Sequence, residues 1–532
     1  MVTYTRVAGV LSSHYKIGHM VDKRNPSPPH SPVSPETIPA THAHHTHSQR
    51  LPAWFGLVLG VGLFAVMRIV PPPGDMPSDA WAVAAVAALM AIWWLTEAIP
   101  VPATALLPLA LFPLLGQGTI KAVAAPFANP LIFLFLGGFL IALAVERWGL
   151  HKRIALFVLS RAGTRPRQLV GAFMVTAAGL SMWISNTAST VMMLPIALSV
   201  IAIVASAKGN GEKNGFDGSP FAKALLIATA YGASMGGVAT LVGTPPNALL
   251  AGFVSENIGV QIGFAQWMVI GVPTMVVMLV LGWLIVTRIV FRLDADDLPG
   301  ASQAIAKEVD CLATFSRPEK MVSVVFGLTA TLWMTRPLLQ KAIPWLSGLS
   351  DAGIAVTAGV VLFAIPVSLK NREFLLNWDW AKRLPWGVLI LFGGGLSLAS
   401  QVSASGLAAW IGDAMTVFSA LPLILTIVMI TTVIVFLTEM TSNTATTATF
   451  LPVIAALAAA MGAEPMMLLV PAALGASMAF MMPVATPPNA IVFGSGHLTI
   501  PDMARAGFLV NLAAIVVIAG LVWVLAPILF VK

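Results

Sequence analysis

The chain carries little charge. Asp, Glu, Lys and Arg together make up 10% of its 532 residues, where a soluble domain carries about 25%. With 58% hydrophobic residues, that shortage excludes a water-soluble domain and describes an integral membrane protein with many spans. Cysteine is nearly absent, and the single Cys311 rules out an internal disulfide. Histidine is nearly absent from the apolar part. Seven of the nine fall in the first fifty residues (His14, His19, His30, His42, His44, His45 and His47), leaving His151 and His497, each near the end of an apolar stretch. A membrane-embedded enzyme needs a nucleophile–base pair or metal ligands at depth, and these residues supply neither. The formal net charge of +7 does not point to nucleic acid, because a membrane protein concentrates Lys and Arg in its cytoplasmic loops.

Residues 1–50 are a separate segment. They are rich in Ser, Pro and His and contain no long apolar run, which predicts a disordered cytoplasmic tail. The cluster His42–His47 reads as part of a solvated tail, since it lacks a fixed metal-ligand spacing. The basic, apolar and small-residue pattern of a secretory signal is not found at its start.

Against this background, polar residues gather in two phrases that each occur twice. Residues 185–195 read SNTASTVMMLP and residues 442–452 read SNTATTATFLP, identical at seven of eleven positions. Downstream of each, GASM (Gly232–Met235 and Gly475–Met478) is followed by TPPNA (Thr244–Ala248 and Thr486–Ala490). The copies lie 442 − 185 = 257 and 486 − 244 = 242 residues apart, so a whole half is repeated with different loop lengths. Paired interruptions of this kind in two halves mark the binding site of a transporter. Neither phrase contains Arg or Lys.

A span needs about twenty mostly apolar residues. Eleven stretches qualify: 53–72, 79–99, 103–117, 130–147, 222–254, 264–288, 319–338, 352–370, 386–404, 466–494 and 506–531. Two more, 168–206 and 421–463, carry an SNT at their centre. Each reads either as two full spans joined by a tight turn or as a hairpin that enters and leaves on one side. If both are re-entrant, Arg147, Lys152, Arg153, Arg161, Arg165, Arg167, Lys208, Lys213, Lys223, Arg288, Arg292, Lys307, Arg317, Lys320, Lys370, Arg372, Lys382 and Arg383 share one side with the N-terminal tail. That side is the cytoplasm by the positive-inside rule. The first hairpin then opens inward and the second outward, the repeats are inverted, and the C-terminus ends outside. Two full spans preserve the same charge pattern, but a polar centre between apolar arms favours non-helical backbone lining a cavity. The loop 293–318, with Asp294, Asp296, Asp297, Glu308 and Asp310, reads as a solvated linker between the halves.

At an SNT tip one helix ends near the Ser and the next starts near the Thr. The first end frees carbonyls for a cation, and the second frees amides for an anion. The four-residue spacings Ser181/Ser185 and Thr438/Ser442 place paired hydroxyls on one helical face, and neutral oxygens suit Na⁺ better than a transition metal. In TPPN, Pro246 and Pro488 force a helix to break, freeing carbonyls near Gly243 and Ala485. Alone, TPPN reads as a proline kink and SNT as a polar turn; their joint duplication points to function. Glu439 is an intramembrane acid whose first-half counterpart is Met182, which favours a structural hydrogen-bonding role over a symmetric ion site. Glu97 and Glu146 are expected at the interface or paired with residues such as Arg147, and Asp379 and Trp380 along the membrane surface.

Over nearly all of residues 51–532 the chain resembles the divalent anion/sodium symporter family of dicarboxylate, citrate and sulfate carriers. The likeness runs through WLTEAIPVPATALLP (Trp94–Pro108), FLGGFLIALAVERWGLHKRIAL (Phe135–Leu156), both SNT phrases, GTPPN and LPWGVLILFGGGLSLA (Leu384–Ala399). The resemblance implies an all-α, elevator-type carrier with about eleven transmembrane helices and two re-entrant hairpins, working as a homodimer. Scaffold parts would be 51–152 and 319–404, and transport parts 153–318 and 405–532. One sodium site would use Ser181, Ser185, Asn186 and the Gly243 backbone. The other would use Thr438, Ser442, Asn443 and the Ala485 backbone. The substrate would meet Asn186, Thr187, Asn443 and Thr444, with Thr244, Pro245, Thr486 and Pro487 completing the walls. No cofactor is implied beyond Na⁺ as coupling ion. The implied activity is sodium-driven symport of dicarboxylates, with four-carbon acids such as succinate, malate and fumarate first, in a bacterial inner membrane. A sodium-independent dicarboxylate exchanger, or a citrate or sulfate carrier, is the alternative on the same fold.

Overall fold

The computed structural model describes residues 53–207, 219–294, 296–416 and 421–530. The tail expected to be disordered, and Lys208 and Lys213, lie outside the described residues. Apart from a small ribbon, Pro366–Ser368 paired antiparallel with Glu373–Phe374, the elements are helical.

Eight described helices are long and apolar enough to cross a membrane, fewer than the eleven spans expected. Six expected spans are present as such. Ala53–Ile69 (17 residues) and Asp351–Ala364 (14 residues) are shorter than hydropathy suggested. Three are broken: 103–117 into Val101–Thr104 and Leu107–Leu114, 222–254 into Pro220–Gly237 and Pro245–Asn257, and 466–494 into Met466–Ala476 and Pro487–Phe493. The two remaining long helices, Asn186–Ala207 and Asn443–Ala460, belong to the SNT stretches. Apolarity reports burial, and it does not register where a proline pair stops the backbone ladder.

The repeat extends through the element order. Helix Pro130–Arg147, a left-handed Gly149 and helix Leu150–Leu159 match helix Trp386–Ala404, a left-handed Gly406 and helix Leu407–Ala414. Each set is followed by a leading arm (Pro166–Ser181; Leu423–Thr438), a trailing arm (Asn186–Ala207; Asn443–Ala460) and a broken helix. A long helix closes each half, Phe264–Leu284 and Ile500–Phe530. Proline stands in the first turn of Pro130–Arg147, Pro166–Ser181, Pro220–Gly237, Pro245–Asn257 and Pro487–Phe493, where its missing N–H leaves nothing unpaired.

Helix Pro130–Arg147 packs against Asp351–Ala364, with Gly137 so close to Ala355 that a Cβ would lie 2.3 Å from its carbonyl carbon. Gly394 meets the Ala105 backbone at the break between Val101–Thr104 and Leu107–Leu114 in the same way. Phe135 and Phe392 join the two repeats edge to face, their centroids 5.1 Å apart.

The loop 293–318 corrects the expectation of a solvated linker. It folds into helix Ala301–Asp310, whose Ala301, Ala304 and Ile305 are buried. It docks on the segment before the first leading arm. The Leu298 N–H donates to the Thr164 carbonyl (3.1 Å), the Thr164 hydroxyl donates to Asp297 (3.0 Å), and Arg167 donates to the Leu293 carbonyl. Arg153 pairs with Glu319 at 2.8 Å. Arg147 pairs with Glu373 (3.2 Å) and donates to the Phe374 carbonyl, anchoring the ribbon. Its neighbour Glu146 is not its partner in that pair.

Replacing Gly137 by Leu forces apart two helices that meet at backbone distance. A loss of stability of about 1–3 kcal/mol or more is expected, measured as thermal unfolding in detergent. Gly62→Leu, where nothing lies within 4 Å of the added Cβ, should leave it unchanged.

Candidate functional site

Both SNT tips have the same backbone course. The leading arm ends at Ser181 or Thr438, four residues turn, and the trailing arm starts at Asn186 or Asn443. The first residue of each trailing arm is tied to the last residue of its leading arm. The Ser181 hydroxyl donates to Asn186 Oδ1, and the Thr438 hydroxyl lies 2.7 Å from Asn443 Oδ1 and 3.0 Å from the Ala476 carbonyl. Ser185 is therefore not on a shared helical face with Ser181; it sits in the turn, where its hydroxyl accepts from the Ala188 N–H (3.2 Å). Ser442 likewise precedes its helix as the N-cap residue. One turn further along, the Ser189 hydroxyl donates to the Ala177 carbonyl (2.9 Å), and Thr441 and Thr446 share a hydrogen bond (2.6 Å). The Ser189 bond joins the two arms of the first hairpin directly; in the second, Thr441 of the turn also donates to the Leu437 carbonyl (2.9 Å) and so bridges the arms.

The broken helices are held by the last residue of TPPN. Asn247 Nδ2 donates to the carbonyls of Gly237 (3.2 Å), Val238 (3.2 Å) and Thr240 (2.8 Å). Asn489 Nδ2 donates to those of Ala479 (3.3 Å) and Met482 (3.1 Å). Two of these bonds are equivalent, reaching back ten and seven residues in both halves. Each amide thus pairs carbonyls left free where the preceding helix stops. Trp267 Nε1 adds a bond to the Val238 carbonyl (3.0 Å). Sequence reasoning assigned the break to the prolines and missed these asparagines, although both stand in both copies. Their Oδ1 atoms and the hydroxyls of Ser234 and Ser477, third residues of the two GASM phrases, are buried without a partner. The two halves therefore carry unsatisfied acceptors in matching places.

Each tip is fastened to the break of its own half by different chemistry. In the first half the Thr240 hydroxyl donates to the Met182 carbonyl (2.6 Å) and accepts from the Gly243 N–H (3.1 Å). The Asn186 side chain rests on Gly237, where a Cβ would come 2.5 Å from its Oδ1. In the second half Glu439 accepts from the N–H groups of Phe480 (2.6 Å), Met481 (2.9 and 3.0 Å) and Met482 (3.0 Å), and from Asn511 Nδ2 (2.7 Å). The hydrogen-bonding role expected for Glu439 is what the structure shows. The N–H groups at 480–482, in the second break, are thus all taken by a side chain of the same chain. Tyr231, in the first broken helix, donates to the Phe480 carbonyl (2.6 Å) and joins the two breaks. Tyr231 and Asn511 lie far from Glu439 in sequence, and no local pattern marks them.

The halves interlock crosswise. Pro245–Asn257 packs on the second trailing arm, and Pro487–Phe493 packs on the first. Thr244 and Thr486 cap those helices and are buried, while Pro487, Ser185 and Thr187 are exposed and Asn186, Asn443, Thr444, Ser442 and Pro245 are half-buried. The Gly243 and Ala485 N–H groups are engaged locally, with Thr240 and with the Met482 carbonyl. What results is a pair of hydroxyl- and amide-lined tips, each beside the proline-broken helix of the other half, without a basic side chain in either motif. Such an arrangement offers neutral donors suited to an anion and neutral oxygens suited to a hard cation.

A polytopic helical protein with duplicated broken helices and polar tips belongs to the class of membrane transporters. The comparisons make this specific. The profile of the sodium:sulfate symporter transmembrane region matches residues 51–531, and the chain belongs to that family. It is 43% identical over 473 residues to the sodium-dependent dicarboxylate transporter SdcS of Staphylococcus saprophyticus, covering 89% of this chain and 91% of that protein. It is 42% identical over 476 residues to SdcS of Staphylococcus aureus (strain USA300), with the same coverage. Among solved structures it is similar to the YdaH transporter of Alcanivorax borkumensis (TM-score 0.57, 14% identity, 85% of this chain and 98% of that one). Neisseria gonorrhoeae MtrF is also similar (TM-score 0.56, 14% identity, 90% and 96%). At 14% identity these two structures speak to the fold alone.

Asn247→Ala leaves the Gly237 and Thr240 carbonyls without that donor, whereas Val238 keeps Trp267; Asn489→Ala leaves the Ala479 carbonyl without it, whereas Met482 keeps the Ala485 N–H, at about 1–3 kcal/mol per unpaired group. Both variants should unfold at lower temperature than the wild type in detergent, with Asn247→Ala, which strips two carbonyls, falling further. Equal stability of either variant to wild type contradicts the stitching role.

Proposed function

We propose that the chain is a sodium-coupled symporter of dicarboxylates, with succinate, malate and fumarate as the leading substrates. The observation that carries this reading is the interlock of two polar tips and two stitched breaks in a motif set lacking Lys and Arg. A dianion there is held by amides, hydroxyls and Na⁺, so its affinity depends on sodium, and that dependence is the coupling. That the SdcS relatives are sodium-dependent dicarboxylate transporters supports the same chemistry.

Ser181, Ser185, Asn186 and the Gly243 backbone form one sodium site in this reading, and Thr438, Ser442, Asn443 and the Ala485 backbone the other. Asn186, Thr187, Asn443 and Thr444 face the carboxylates, with Thr244, Pro245, Thr486 and Pro487 as walls. The leading arms have 16 residues each, about 24 Å of helix, against a hydrocarbon core of about 30 Å. That shortness supports re-entrant hairpins, an inverted repeat, a cytoplasmic N-terminus and an external C-terminus in a bacterial inner membrane. The scaffold comprises 51–152 and 319–404, the moving part comprises 153–318 and 405–532, and two chains pair through their scaffolds. An elevator motion is supported by the boundary between these parts. A cavity of about 400 Å³ lies there, lined by Ala399, Val402 and Ser403 from the scaffold part and by Ala408, Gly412 and Ala456 from the moving part.

Succinate uptake into proteoliposomes tests the reading with an inward Na⁺ gradient, with K⁺ in its place, and with succinate preloaded inside. Accumulation above equilibrium driven by Na⁺ is expected. Uptake that ignores Na⁺ but needs internal succinate indicates an exchanger, and no uptake in any arm directs the assay to citrate and sulfate. Asn186→Ala and Asn443→Ala should each abolish Na⁺-driven uptake while the melting temperature stays near wild type. Near-normal uptake by both overturns the site assignment.

A further inference from the structure

Helix Pro245–Asn257 stops on a left-handed Gly259 (φ 73°), with the Val260 N–H returning to the Val254 carbonyl (3.4 Å), a common way for a helix to end. The next helix, Phe264–Leu284, starts after Gly263, whose N–H donates to Gln266 (3.3 Å). The segment 256–264 thus has a fixed shape at both ends. It belongs to the moving part, and its polar groups meet the scaffold. Asn129 Nδ2 donates to Glu256 (2.5 Å), the Ser403 hydroxyl donates to Asn257 (3.1 Å), and the Phe264 N–H donates to Asp351 (2.9 Å). Arg336 pairs with Asp351 (2.6 Å) and crowds Gly263, where a Cβ would lie 2.9 Å from its Nη2. The Phe264 ring stacks on Trp333 (4.6 Å), whose Nε1 donates to the Asp351 carbonyl (3.0 Å).

The scaffold partners come from separate helices and stand at the same end of each. Asn129 caps Pro130–Arg147, Asp351 opens Asp351–Ala364, and Ser403 lies in the last turn of Trp386–Ala404. Arg147, Lys370 with Arg372, and Lys382 with Arg383 mark the opposite ends, so the segment meets the scaffold at its outer face. Two ion pairs between the parts, Arg153–Glu319 and Lys152–Glu308, lie instead on the basic side, where the chain itself crosses from one part to the other. Asn257 and Ser403 also line the boundary cavity, with Phe253 and Ile258 on one side and Ala399 and Val402 on the other, so their bond bridges open space. Carrying a segment of fixed shape past fixed helix ends breaks the set together, because hydrogen bonds weaken steeply with distance and angle.

We propose that the segment 256–264 is a releasable clasp. It holds the moving part against the outer ends of the scaffold helices in the position seen here and lets go in the other position of the transport cycle. Asn129, Ser403, Asp351 and Arg336 are then positioning residues: they touch neither tip, and they set how long the clasped position lasts. This inference rests on the division into scaffold and moving part proposed above and deepens it.

The test uses the full chain in proteoliposomes with Cys311→Ser as background, since Cys311 is the single cysteine. Dyes on Asp75→Cys in the scaffold and Glu464→Cys in the moving part report position by single-molecule energy transfer, read without substrate so that the result does not depend on which anion is carried. Two transfer levels are expected. A short reducible cross-link between Asn257→Cys and Ser403→Cys should trap one of them and stop Na⁺-driven uptake until it is reduced. The same cross-link between Asp79→Cys and Gln117→Cys, scaffold residues in contact at 2.9 Å, should leave both levels. Asp351→Ala and Glu256→Ala should each shorten the clasped dwell about two- to tenfold, the worth of one hydrogen bond. The dwell in the other position should stay within about twofold, because lost contacts act on release. A single transfer level, or full uptake through the 257–403 cross-link, overturns the two-part reading and the clasp with it. Two levels and a blocking cross-link, with the clasped dwell unchanged in both variants or with both dwells altered alike, remove the clasp alone. Should Asp351→Ala not fold, Glu256→Ala, at an exposed position, decides in the same way.

Discussion

Inside a bilayer an unpaired backbone N–H or C=O costs roughly several kcal/mol, and no water is at hand to take the missing partner's place. A protein that breaks its helices there must replace every bond that it removes. In this chain the replacement is made by Asn247 and Asn489, which reach back across the breaks to the carbonyls at 237–240 and 479–482. A primary amide suits the task because it donates twice without introducing charge. Once the breaks are stitched, the tips can be fastened to them, and the arms can be cross-linked by Ser189 and by Thr441 with Thr446. The polar centre of the molecule depends on this order of support. Thr240, Thr438 and Glu439 are useful anchors only if the turns that they hold have one conformation.

Gene duplication leaves two halves with the same backbone course, but the chemistry of the two has diverged. The first half joins tip to break through neutral groups, a hydroxyl and a carbonyl at 2.6 Å. The second uses a carboxylate with four donors.

The duplicated phrases made the tips and breaks legible, because SNT and TPPN are polar or helix-breaking in an apolar chain and stand at matching separations. Their partners were not legible. Asn511 lies 72 residues from Glu439, and Tyr231 lies 249 residues from Phe480; contacts of that reach leave no local pattern. The asparagines of TPPN were visible, but the neighbouring prolines offered a sufficient cause for the break and drew attention from the residue that repairs it. Hydropathy marked 222–254 and 466–494 as continuous spans, since it measures their apolarity without reporting that the ladder stops at Gly237 and Ala476. The linker was misread for the opposite reason. Its acids suggested a solvated loop, while the spacing of Ala301, Ala304 and Ile305 on one helical face was the better guide.

The proposed boundary between scaffold and moving part differs in texture from the contacts within each. Within the scaffold, Gly137 and Gly394 allow backbones to touch, a geometry that admits no sliding. Across the boundary, alanines and a glycine border open space, and the specific contacts lie at the rim. The Ser403 hydroxyl donates to Asn257 (3.1 Å), Asn129 donates to Glu256, and Asp351 accepts from the Phe264 N–H (2.9 Å). Phe264 stacks on Trp333 at 4.6 Å, with Trp183 of the first tip at 6.0 Å on Phe264. A few polar contacts and one aromatic stack define a position without interlocking the surfaces. They can be exchanged for another set when the surfaces shift, whereas a notched backbone contact cannot. Trp183 lies between Ser181 and Ser185, so this contact reaches the first tip.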